Sequence, residues 1–141
     1  MRVVVFAPSF SADSQPAGGV TAEGFPMTSC YVDSFPAQVT IPMVLAVSSP
    51  GGTEYDPRLY IVATSPEGER VGSVEFAWHW PDNPPVPVKF RVFTHNLPMT
   101  TRSAGIYTLG LYDSLEATDT EHLFPLPVFR SNPLLGAAKR T

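Results

Sequence analysis

Apolar residues recur at every second position through much of this chain, the period of a strand buried on one face. Between Gln38 and Ser48, Val39, Ile41, Met43, Leu45 and Val47 share one parity. Pro42 lies on the other, and because it cannot donate a ladder hydrogen bond it predicts a sheet edge or a bulge. Arg58 to Thr64 is apolar on both parities, which predicts a central strand. Arg70 to Trp80 sets Val74, Phe76, Trp78 and Trp80 against Ser73, Glu75, Ala77 and His79, an aromatic face against a polar one. In the stretch from Val88 to His95, Val88, Phe90 and Val92 alternate with Lys89, Arg91 and Phe93. Gly105 to Leu115 places Tyr107, Leu109 and Leu111 together, and His122 to Phe129 aligns Phe124, Leu126 and Val128. Pro125 and Pro127 in that last stretch predict a sheet edge.

Arg2 to Ala7 and Met27 to Val32 complete about eight predicted strands. Sixteen prolines and ten glycines leave no helical pattern longer than two turns between them. An α/β fold with a parallel sheet is thereby excluded, and a two-sheet antiparallel sandwich is expected. Pro50-Gly51-Gly52 and Ser65-Pro66-Glu67-Gly68-Glu69 have the residues of tight turns, the second closing a hairpin. Pro81-Asp82-Asn83-Pro84-Pro85-Val86-Pro87 is too rich in proline to pair on both sides and suits a crossing between sheets. One domain is expected over residues 1–130, with a loose tail over 131–141.

Composition sharpens this picture. With 141 residues, 43% of them hydrophobic and 16% charged, the chain suits one well-filled core. Nine basic residues against thirteen acidic ones give a net charge of -4, and the basic residues form no run. Nucleic acid, which is held through clustered positive charge, is an unsuited partner. No apolar run is long enough to span a bilayer as a helix, and the N-terminal stretch stops at Pro8, short of a signal peptide's core. Cys30 is the only cysteine, so no internal disulfide can form, and a cytoplasmic setting is expected. In a strand without an adjacent histidine, Cys30 reads as buried and inert.

Several motifs fall in a distinctive order. Tyr31-Val32-Asp33-Ser34-Phe35-Pro36-Ala37 is followed by Arg58 to Ser65, by Ser65-Pro66-Glu67-Gly68, and later by Ser103-Ala104-Gly105-Ile106-Tyr107. Over roughly Val3 to Phe129 this order resembles an uncharacterised family of short bacterial β-sandwich proteins with a Phe-Pro motif, a Pro-Glu/Asp-Gly turn and a C-terminal Gly-x-Tyr strand. The resemblance implies an immunoglobulin-like or C2-like sandwich and carries no activity, ligand or catalytic residue. The chain departs from the pattern over Pro8 to Gly24 and after Trp80.

Candidate chemistry is sparse. His79, His95 and His122 lack the close spacings of zinc motifs, and unrelated rim histidines are the commoner origin of such a set. No serine occupies a nucleophile elbow, and Ala17-Gly18-Gly19-Val20 lacks the lysine and helix of a phosphate loop. Asp113, Glu116, Asp119 and Glu121 share one connection, where calcium ligation is the sharp reading and a solvated acidic loop the common one.

The segment from Trp78 to Val88 holds two tryptophans, a histidine and four prolines. Such stiff, aromatic-flanked loops bind partners at low entropic cost. His79, Trp80, Pro81, Asp82, Pro84, Pro85 and Phe93 are therefore the candidate binding surface. For the two tryptophans, core packing is favoured, because their parity continues that of Val74 and Phe76. The expected role is a non-enzymatic module, without cofactor or metal, acting through contacts with a protein partner or with itself as a homo-oligomer. The alternatives are a small-ligand or carbohydrate-binding sandwich with Trp80, His79 and Phe93 as a platform, and, less favoured, a metal-dependent enzyme.

Overall fold

The computed structural model describes residues 1–82 and 86–131, and among them the chain is all-β. Ten strands form three sheets: β1 (Arg2–Pro8), β2 (Ser11–Ser14), β3 (Val20–Glu23), β4 (Cys30–Val32), β5 (Ala37–Pro50), β6 (Arg58–Thr64), β7 (Arg70–Ala77), β8 (Val88–Thr101), β9 (Gly105–Tyr112) and β10 (Leu123–Arg130). One sheet has the order β1-β5-β8, the second β4-β10-β9-β6-β7, and the third is the hairpin β2-β3. No helix among the described residues is long and apolar enough to cross a membrane.

Eight strands in two antiparallel sheets were expected; the differences are the β2-β3 hairpin, which forms a third sheet, and the short β4, which pairs parallel to β10. The hairpin strands, Ser-Ala-Asp-Ser against Val-Thr-Ala-Glu, are four residues each, and the one alternation they hold, Val20 and Ala22 against Thr21 and Glu23, is too short for a pattern reading to find. The hairpin is held by its ladder, by the turn bond from Gln15 N–H to the Gly19 carbonyl at 3.0 Å, and by buried Ser9. The Ser9 hydroxyl reaches the Ser11 and Glu23 carbonyls at 2.7 and 2.8 Å.

The paired long strands β5 and β8 run antiparallel along their whole length, from Ala37 opposite Thr101 to Pro50 opposite Val88. Ile41, Met43, Leu45 and Val47 of β5 are all buried, as their shared parity predicts. Facing them, Leu59, Ile61 and Ala63 of β6, Tyr107, Leu109 and Leu111 of β9, and Leu126 and Val128 of β10 complete one shared core. β6 is central, between β9 and β7, as its two apolar parities require. The turn from Ser65 to Glu69 closes the β6-β7 hairpin, with Gly68 at φ 88° and Ser65 N–H donating to the Glu69 carbonyl at 2.7 Å.

Two proline expectations need correction. β5 is the middle strand of its sheet, so Pro42 marks no edge strand. The Pro42 carbonyl accepts from Ser9 N–H at 2.8 Å, just past the last β1 pair, Pro8 with Met43. Its missing donor therefore falls where the ladder to β1 runs out. Likewise β10 lies between β9 and β4. Three residues of β4 pair only with Val128, Phe129 and Arg130, beyond Pro125 and Pro127, so both prolines meet a locally unpaired flank. Strand ends also move: β4 begins at Cys30 and not at Met27, β7 stops at Ala77, β9 stops at Tyr112, and β8 continues past His95 to Thr101.

β7 and β8 belong to different sheets, so the proline-rich connection does cross between them. At Gly72 the two backbones nearly touch: a Cβ there would lie 2.1 Å from the Pro98 carbonyl oxygen and 2.9 Å from Met99 Cα. Tyr107, buried two residues into β9, donates its hydroxyl hydrogen to the Ser103 carbonyl at 2.9 Å and accepts from Arg102 N–H at 3.2 Å, closing the β8-β9 turn.

Candidate interaction surface

The aromatic parity of the β7 hairpin arm points inward. Phe76 is 9% exposed, Trp78 9% and Trp80 3%, so core packing wins for both tryptophans. Beyond β7, the chain keeps its direction through one bridge, Tyr55 to Trp80, with Trp80 N–H donating to the Tyr55 carbonyl at 2.8 Å. The rings form a continuous stack: Tyr55 to Trp80 at 5.6 Å, Trp80 to Trp78 at 5.7 Å, Trp78 to Phe93 at 4.8 Å, and Phe76 to His95 at 4.1 Å. Such offset and tilted pairs add to the value of burial alone.

This stack separates the seven candidate residues. Trp80 is interior and Phe93 half-buried against Phe76 and Trp78, so the two do not form the open platform that a sugar ring requires. His79, on the opposite parity, faces out, and its Nδ1 lies 2.7 Å from Asp56 Oδ1 in an exposed pair. Pro81 is exposed, and Asp82 accepts from Gly52 N–H at 2.8 Å, which ties this connection to the turn after β5. Pro84 and Pro85 lie outside the described residues.

Lys89, absent from the sequence-based site, is its anchor. Only 6% exposed, its Nζ donates to the Thr53 carbonyl and to the Pro81 carbonyl, the latter at 3.4 Å. It also sits 5.4 Å from the Trp80 ring centre and 5.6 Å from that of Tyr55, within cation–π range. A buried cation is costly unless paired or richly solvated by dipoles, and here two carbonyls and two ring faces fill that role. The signal available in the sequence was its parity, since Lys89 lies opposite Ser49 on the core-facing side of β5.

With Lys89 turned in, its apolar neighbours turn out. Phe90 is 63% exposed and Val88 46%, the reverse of the usual division. They continue a row on the outer face of the three-stranded sheet, where Val5, Ala46 and Val92 lie side by side and Val4 is exposed at a bulge. A cleft of about 260 Å³ opens here, bordered by Trp80, Val86, Val88, Lys89, Phe90 and Arg91. The Arg91 guanidinium lies 5.8 Å from the Phe93 ring centre and, among the described residues, faces no carboxylate.

The other histidines do not join His79. His95 stacks between Phe76 and Phe93, where burial holds its pKa below the ordinary value and, among the described residues, its Nε2 has no hydrogen-bond partner. Trp78 Nε1 in the same cluster is likewise without a hydrogen-bond partner among the described residues. His122 borders a larger cleft of about 520 Å³ between β1 and the acidic connection, together with Asp113, Asp119 and Glu121. Among the described residues no three His, Cys, Asp or Glu side chains gather closely enough to hold a metal ion. Cys30 is half-buried in β4, and burial pushes its thiol pKa up, away from the reactive thiolate.

Comparison with protein-family models, with curated proteins and with solved structures found no match to this chain.

Proposed function

We propose that this chain is a non-enzymatic β-sandwich module of immunoglobulin-like topology that acts through contacts with a protein partner. The observation that carries this reading is the outward-facing apolar row from Val4 to Phe90 and Val88, beside a cleft bordered by Trp80. Exposed apolar patches on otherwise polar surfaces mark interaction sites. The topology is supported by the orders β1-β5-β8 and β4-β10-β9-β6-β7, with the short β4 parallel to β10, and by a buried tyrosine bonding back to the turn before its strand. On this reading the β2-β3 hairpin is an addition to a two-sheet sandwich. The bacterial family suggested by the motif order, and a cytoplasmic setting suggested by the single cysteine, belong to the same proposal.

The test is co-purification from source lysate with the full chain and with Phe90→Ser combined with Val88→Ser. The expected result is a stoichiometric partner protein retained by the wild type and lost by the double variant at unchanged Tm. Turnover of an ester, phosphate or glycoside substrate that a single point substitution abolishes would overturn the reading.

A further inference from the structure

The cleft beside β8 is bordered by side chains of both parities: Val88 and Phe90 from the outer face, Lys89 and Arg91 from the inner one. Because successive side chains point to opposite faces, a cavity bordered by both parities wraps the strand's edge or its end, here the start of β8. Among the described residues that edge is unpaired. β8 is the last strand of its sheet, and among the described residues the first half of β8 makes backbone hydrogen bonds only to β5. An edge strand presents a row of donors and acceptors ready to template another strand.

We propose that the edge of β8 from Val88 to Phe93 takes up an extended segment of a partner protein whose side chains alternate apolar and acidic. This rests on the protein-contact reading above and names the chemistry of the partner. A strand laid beside β8 sends its side chains alternately to the two faces. On the outer face they meet Val88, Phe90 and Val92, which calls for apolar groups. On the inner face the first free group is the Arg91 guanidinium, stacked on Phe93 and, among the described residues, without a carboxylate partner. Lys89 adds positive charge beneath it, although its ammonium is committed to two carbonyls. On a chain carrying a net charge of -4, the Arg91 guanidinium at this edge favours a carboxylate there and disfavours a basic segment.

The experiment titrates the full chain with three capped eight-residue peptides: alternating Val and Glu, alternating Val and Lys, and the Val-Glu peptide with N-methylated backbone on one edge. Tryptophan fluorescence and amide chemical shifts report binding. The Val-Glu peptide is expected to bind at least tenfold more tightly than either of the others, with shifts confined to residues 88–93 and their β5 neighbours. Arg91→Gln is expected to weaken it about tenfold, and Arg91→Glu to invert the preference toward Val-Lys. Equal affinity for the acidic and basic peptides, no binding, shifts elsewhere, or self-association through β8 that excludes the peptide would overturn the proposal. If a partner still co-purifies in a Phe90-dependent manner while the peptides fail, only this inference falls. Loss of both removes the protein-contact reading as well.

Discussion

Tyr107 and His95 show how single side chains in this fold carry separable effects. The Tyr107 hydroxyl ties the β8-β9 turn to the start of β9 through one donated and at least one accepted bond in a buried setting. Tyr107→Phe leaves the packing and removes these bonds, so it is expected to lower stability by about 1–2 kcal/mol, read from the urea midpoint at unchanged m-value. His95 behaves differently. Burial favours its neutral form, so its folded pKa lies below the ordinary 6.5 that it regains on unfolding. Above 6.5 both states are neutral and stability is fully present. As pH falls through 6.5 the unfolded chain takes up the proton first and stability declines, until the lower folded pKa is passed. Comparing Tm between pH 7.5 and 5 is expected to show a loss that His95→Phe reduces; equal losses in the two proteins would contradict this.

Among elements, the β7-β8 approach and the loop held by Lys89 are the junctions where sheets meet. Gly72 needs no special φ; it is glycine because any Cβ would press on the backbone of Pro98 and Met99, which cannot swing aside as a side chain would. Gly72→Ala is therefore expected to cost about 1–3 kcal/mol, by calorimetry or denaturant, by forcing the two strands apart. Lys89→Ala removes a buried ammonium's hydrogen bonds and its ring contacts, with an expected cost of about 2–4 kcal/mol and faster amide exchange at Thr53 to Tyr55.

Strand placement was largely legible because alternation survives wherever one face is buried: β5, β7, β9 and β10 each bury the parity their sequences marked. The β2-β3 hairpin was not legible, because strands of four residues with only Val20 and Ala22 on one side of β3 leave too short a trace. Proline position was legible and its meaning was not. Pro42, Pro125 and Pro127 each sit where a neighbouring strand stops short, a fact of sheet register and not of local sequence. For the candidate surface, the segment was found but its inward and outward members were mixed. A lysine at core parity reversed the usual sorting at the start of β8, and only the fold shows the two carbonyls and two rings that hold it.

For the whole molecule, one core shared by the three- and five-stranded sheets requires that they unfold together, and fluorescence from the two interior tryptophans is expected to coincide with loss of β circular dichroism. The same arrangement sets the outer face apart. The uptake of a partner segment depends on the first half of β8 being an open edge while its β5 side is fully paired. Residue-resolved hydrogen exchange of the free protein tests this most directly. Amides of β5 are expected to exchange near the global unfolding rate, while the outward-pointing amides of residues 88–93 exchange orders of magnitude faster and slow when the partner binds. Protection of those outward amides equal to that of β5 in the free protein would mean that the edge is already covered, and would contradict the assignment of this surface.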